Sequence, residues 1–203
     1  MEDILGKTPR QRRKEKNREA ILDTAFQSIS EEGVENFSLR EVASEADYSP
    51  AALYKYFDGK QGILEALLVR ENLKLIERLN EISDEIDLFH QLIDMCMIYI
   101  QFNLENRAYL YLVNSKISPR RTKEQAIPKN SPYSVFLQTV SEWVSAEEID
   151  LSTDYGLEEI TYALWAQIHG MATLRLNQLK DFEADFDYAN RRTIEIFLSG
   201  VKR

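Results

Sequence analysis

Residues 38–57 read Ser38-Leu39-Arg40-Glu41-Val42-Ala43-Ser44-Glu45-Ala46-Asp47-Tyr48-Ser49-Pro50-Ala51-Ala52-Leu53-Tyr54-Lys55-Tyr56-Phe57, and this stretch decides the fold. Ser38 followed three residues later by Glu41 is a capping-box pattern, so a short helix is expected from Ser38 to near Ala46. Ser49 as N-cap, with Pro50 in the first helical position, starts a second short helix expected over Pro50–Phe57. Only Asp47 and Tyr48 separate the two, and Asp is among the residues that tolerate a left-handed turn. Two short helices around a tight turn form a helix-turn-helix, whose first helix braces on the DNA backbone while its second enters the major groove. Leu39, Val42 and Ala43 supply an inner face that packs with Leu53 and Phe57.

Upstream, Ile21, Leu22, Ala25, Phe26 and Ile29 fall on one face of a helix expected from near Arg10 to Glu32. Gly33 stands where a left-handed C-cap is wanted. Downstream, Asp58-Gly59 breaks the chain, and a long helix is expected from near Lys60 through Ile63, Leu64, Leu67, Leu68, Leu75 and Leu79 toward Ile82. The outward groups suit DNA. Ala51 and Ala52 are small enough to approach base edges. Tyr54, Lys55 and Tyr56 can donate to phosphate. Ser38, Arg40 and Lys60 lie at helix starts, where free N–H groups favour an anion.

These residues resemble the DNA-binding domain of TetR/AcrR-type transcriptional regulators. The likeness spans roughly residues 12–66, and its most specific piece is Leu53-Tyr54, Tyr56-Phe57 and Lys60 in that spacing. The resemblance implies phosphate contacts from Tyr54 and Lys60, with Ser49, Pro50, Ala51, Ala52, Lys55 and Tyr56 facing bases or backbone. This chain departs from the family pattern at Asp47-Tyr48, where a glycine is usual.

The remainder reads as helix, giving an all-α chain of about nine helices: a helix-turn-helix domain over residues 1–58 and a helical domain over 59–203. Further helices are expected at 88–106, 107–115, 133–146, 157–179 and 186–201, with a proline-broken, basic loop at 116–132. Leu164-Trp165-Ala166-Gln167-Ile168-His169-Gly170-Met171 resembles the TetR subgroup whose C-terminal ligand domain carries a Trp…His-Gly signature. That resemblance implies an apolar effector site and a four-helix dimer interface formed by the last two helices. Candidate effector contacts are Phe89, Met95, Tyr99, Phe102, Phe136, Trp143, Trp165 and His169; taken singly each aromatic reads better as plain core and His169 as a satisfied core or interface histidine, and only together do they suggest a wide amphipathic pocket between helices. Candidate dimer contacts are Leu164, Ile168, Met171, Phe186, Thr193 and Phe197.

Charge is unevenly spread. The chain carries a formal net charge of −9, yet residues 7–18 hold Lys7, Arg10, Arg12, Arg13, Lys14, Lys16 and Arg18 against Glu15 alone. Such a run is either a solvated surface or an element that meets phosphate. Cys96 is the only cysteine; it has no disulfide partner within the chain and reads as a buried filler. No apolar run is long enough for a bilayer, and a cytoplasmic protein is expected. Enzymatic chemistry finds little to stand on. There is no glycine-rich phosphate loop, and neither His90 nor His169 has a Glu three residues earlier for a helical metal site. No cofactor or metal is expected. The expected function is a homodimeric repressor that binds palindromic operator DNA and is released by a small apolar or aromatic effector. The alternative is a helical protein-interaction module without operator binding.

Overall fold

The computed structural model describes residues 8–115, 131–151 and 155–202. The expected loop at 116–132, with Arg120, Arg121 and Lys123, lies almost wholly outside them. The described residues form nine helices and no strand: α1 (Pro9–Asn36), α2 (Leu39–Glu45), α3 (Pro50–Leu53), α4 (Gly59–Leu79), α5 (Leu88–Glu105), α6 (Arg107–Asn114), α7 (Pro132–Ala146), α8 (Leu157–Leu176) and α9 (Phe186–Val201). None of these helices is long and apolar enough to cross a membrane.

The chain divides into two compact units. The first holds residues up to Arg70 together with the stretch from Ala108; the second holds Glu71–Arg107 and the described residues from 131 onward. The first unit therefore extends past the boundary expected at residue 58, and the reason is packing. Ile63, Leu64 and Leu67 of α4 and Ala108 and Leu112 of α6 are buried in one cluster with Ile21, Leu22, Ala25 and Ile29 of α1, Val42 and Ala43 of α2, and Leu53 and Phe57. One long helix and two short ones have too little apolar surface to close a core alone; α4 and α6 supply the rest.

Helix α1 opens on a true capping box. The Thr8 hydroxyl accepts from Gln11 N at 3.3 Å, and Thr8 N donates to the Gln11 side chain at 2.7 Å, with Pro9 in the first helical position. At its other end Gly33 adopts φ 80° and ψ 167°, a region open essentially only to glycine. The helix breaks at Gly33 as expected, but in this extended positive-φ conformation rather than a left-handed cap, and the chain makes one further turn before Phe37 enters the core, 3% exposed.

Two local expectations are corrected. The Ser38 side chain makes no capping bond, and the helix begins at Leu39. Burial of Val42 and Ala43 fixes α2, and a cap worth about 1 kcal/mol is dispensable beside it. The reader helix is shorter than Pro50–Phe57: α-helix ends at Leu53, and Tyr56 N donates to Leu53 O at 2.9 Å in a tighter turn. This turn carries Phe57 into the core beside Leu53.

In the second unit α5 packs against α7, α8 and α9, and α8 packs against α7 and α9. Leu92, Cys96, Tyr99, Phe102, Phe136, Val140, Trp143, Leu164, Ile168 and Ile194 are buried there.

Candidate DNA-binding face and effector groove

The α2–α3 connection sets the reader helix. Asp47 takes φ 59°, the left-handed geometry its position calls for, and Tyr48 N donates to Ala43 O at 2.8 Å, closing the end of α2. The Ser49 hydroxyl caps α3 by accepting from Ala52 N at 3.2 Å. Leu53 is buried beneath α3, which leaves Ser49, Pro50, Ala51, Tyr54 and Lys55 exposed, with Ala52 and Tyr56 half-buried. Tyr54, 63% exposed, is a large amphipathic side chain with nothing in this unit to cover it. Arg40 is likewise exposed, and Ser38 is half-buried.

Lys60 sits differently from the sequence expectation. Its ammonium donates to Val34 O at 3.1 Å and to Phe37 O at 2.9 Å, and it lies 5.5 Å from the Phe37 ring. Two of its three protons tie the start of α4 to the chain end of α1, so its first role is to brace the fold. One proton is left for a phosphate.

A feature missed by residue-level reading lies beside α3. Arg10, Arg13, Lys14 and Asn17 of α1, with Lys55 and Tyr56, line a groove of about 500 Å³. Asn17 Nδ2 donates to the Tyr56 hydroxyl at 3.2 Å and ties the two walls together. The signal was in the sequence: positions 10, 13, 14 and 17 share one helical face.

This arrangement has known counterparts. Residues 21–67 match the family model of bacterial regulatory proteins, tetR family. The HTH-type transcriptional regulator YobS of Bacillus subtilis is 23% identical over 181 residues, which is 89% of this chain and 90% of that one. A solved protein of unknown function from Rhodococcus sp. RHA1 superposes with a TM-score of 0.75 at 26% identity, covering 92% of this chain and 96% of its own. The transcriptional regulator FadR of Bacillus subtilis, solved with stearoyl-CoA, shares the fold at TM-score 0.72 and 18% identity, over 90% of this chain and 98% of its own.

Residues 21–67 therefore carry the DNA-binding domain of the tetR family of bacterial regulatory proteins. The chain's matched relatives are regulators rather than enzymes.

Among the described residues, the aromatic side chains expected to line a pocket pack against one another. Tyr99, Phe102, Phe136 and Trp143 are at most 1% exposed. Phe89 packs against Trp143 at 6.3 Å between ring centroids, and Trp165 packs on Tyr99 at 4.7 Å and Phe136 at 5.5 Å. The Tyr99 hydroxyl bonds His169 Nδ1 at 2.9 Å. Burial holds the His169 pKa below its ordinary value and so favours the neutral ring. The aromatics meet one another, with Phe89, Trp165 and His169 half-buried at the edge of the cluster. Burial also pushes the Cys96 thiol far above its usual range.

Open space in the second unit includes a groove of about 620 Å³ whose lining includes Arg78, Asp94 and Arg191. A groove of about 430 Å³ is lined by Leu73, Ile76, Leu79 and Asn80, then Ile82 and Asp84, by Gln91 and Met95 of α5, and by Val135, Gln138, Thr139 and Glu142 of α7. Met95 alone of the expected effector contacts lines it.

The expected dimer contacts also divide. Leu164 and Ile168 are fully buried within their own unit and cannot meet a partner. Phe186 is half-buried beneath the Arg175 guanidinium, 4.2 Å above its ring. Met171 and Phe197 are half-buried, and Thr193 is exposed. The large apolar groups left uncovered are Tyr162 (68%) and Leu174 (45%) on α8 and Tyr188 (69%) and Ile196 (60%) on α9. Tyr162, Ala166, Gly170 and Leu174 follow one another every fourth residue along α8, and a Cβ at Gly170 would meet nothing within 4 Å.

Proposed function

We propose that this regulator is a homodimeric repressor that binds a palindromic operator through paired α3 helices and is released by a small amphipathic molecule. The observation that carries the reading is the exposed surface of α3 and its following turn: Ala51, Tyr54 and Lys55 point away from a core that holds Leu53 and Phe57 fixed. A fold alone requires none of those outward groups. The uncovered stripe of α8 and α9 supports the dimer, because apolar faces of this kind mark association surfaces. Twofold symmetry then places two reader helices for half-sites about 34–36 Å apart.

The 430 Å³ groove of the second unit supports effector binding, and its lining narrows the ligand. Aliphatic side chains and Met95 share its lining with the amides of Asn80, Gln91 and Gln138, and the only charged groups in that lining are Asp84 and Glu142. An anionic coenzyme A thioester would meet no cation there, whereas a neutral or cationic amphipathic molecule would. Release follows by population shift: the effector stabilises a conformation whose reader helices no longer match the half-sites. Helix α4 contributes residues to both units and is the element through which the shift passes.

Selection of the purified protein on a randomised duplex library at two salt concentrations tests the operator reading. A near-palindromic site whose affinity falls steeply with salt is expected. Flat enrichment at both concentrations would sink it.

A further inference from the structure

The first three turns of α1 precede the residues matched by the family model, which begin at Ile21, and the reader surface does not need them. Yet they are built with care. The Thr8–Gln11 capping box and Pro9 start the helix firmly, and Arg10, Arg13 and Lys14 are set on one face of it. Like charges three and four residues apart repel by a few tenths of a kcal/mol per pair, so the arrangement costs stability in the free protein. With Asn17, Lys55 and Tyr56 they line one groove, with four cations and two neutral hydrogen-bonding groups and no carboxylate. The wall opposite α1 is the turn that ends the reader helix, and the Asn17–Tyr56 bond holds the two together.

We propose that this groove seats the sugar-phosphate backbone of the operator beside the major groove that α3 enters. It is a second anchor, sequence-independent, made by a part of α1 outside the family domain. The inference rests on the operator-binding reading. Phosphate oxygens match what lines the groove: guanidinium groups for bidentate contact, ammonium groups as point charges, and an amide and a phenol as donors. Lys55 belongs to both surfaces, so a strand in the groove fixes the register of the reader helix.

The test uses the full chain and its selected operator. The triple variant R10A/R13A/K14A retains helix-forming residues, and its far-UV circular dichroism melt is compared with wild type. The slope of log Kd against log salt is expected to fall by about 0.9 for each charge removed, or about five units for a dimer in which all six contacts are made. The selected sequence is expected to stay the same. Hydroxyl-radical protection of the backbone flanking each half-site is expected to disappear. Arg10→Lys with Arg13→Lys is expected to keep most of the slope. A triple-variant slope within one unit of wild type, with the operator still bound, would overturn this inference alone. A changed consensus sequence would also overturn it, since it would place these side chains on bases. Wild-type protein that binds no duplex would overturn the operator reading and this inference together.

Discussion

Asp47 at φ 59° holds the α2–α3 turn in a geometry that costs most L-residues about 1–2 kcal/mol. Asp47→Val is expected to destabilise the protein by about that amount, and Asp47→Gly to change stability by less than about 1 kcal/mol, read by urea denaturation. This residue was legible, because the turn is two residues long and only Asp suited it. Lys60 was not. The sequence shows a charge at a helix start, but the carbonyls of Val34 and Phe37 that receive it are 26 and 23 residues away. Lys60→Met, which keeps the stem, is expected to cost about 1.5–3 kcal/mol in stability; a lysine serving phosphate alone would leave the denaturation midpoint unmoved. His169 carries a pH dependence of defined sign. Its folded pKa is lowered by burial, so as pH falls through about 6.5 the unfolded chain takes a proton that the folded chain resists. Stability is expected to drop with falling pH in that window, and His169→Gln to flatten the profile.

At the scale of the element, caps and apolar periodicity separated well from one another as signals. The Ser49-Pro50 start of α3 forms as the sequence reads, while the Ser38–Glu41 box does not, because a cap is a small term that packing overrides. The end of α3 was misread for a related reason: Phe57 continues a helical pattern but is drawn into the core through a tighter turn. On α8 the periodicity marked an apolar helix without telling which face its own unit covers. Leu164 and Ile168 point inward, and Tyr162 and Leu174 outward; three-dimensional packing alone makes that division. The start of α1 gives a prediction at this scale. Thr8→Ala is expected to weaken the first turns of α1 by about 1 kcal/mol, seen as faster amide exchange over residues 10–14 with little change at Ile21 or Leu22.

For the whole molecule, the all-helical class and the helix-turn-helix unit are legible in the sequence, and the place of the grooves in the second unit is not. The aromatic residues at 89–165 that suggest a pocket pair with one another at ring distances of 4.7–6.4 Å, a pairing that aromatic rings favour, and the 430 Å³ groove is lined by aliphatic, amide and acidic side chains with Met95 and Thr139. Oligomeric state belongs to this scale. Tyr162→Glu with Ile196→Glu is expected to yield a folded monomer by sedimentation velocity and to lose operator affinity with it. A dimer of unchanged mass would move the interface off this stripe. Polarity is a whole-molecule property too. A chain of net charge −9 that concentrates basic groups around one groove orients that end toward a polyanion during encounter.

The single thiol of this protein lies at 0% exposure within α5, and burial suppresses its ionisation. A maleimide or iodoacetamide therefore finds no ready target on the folded chain. An introduced surface cysteine can carry a fluorophore on an otherwise silent background. Left unlabelled, Cys96 is a clock: its slow alkylation counts the openings of the second unit's core. Any compound that seats in the neighbouring groove and binds only the closed form should lengthen the interval between counts.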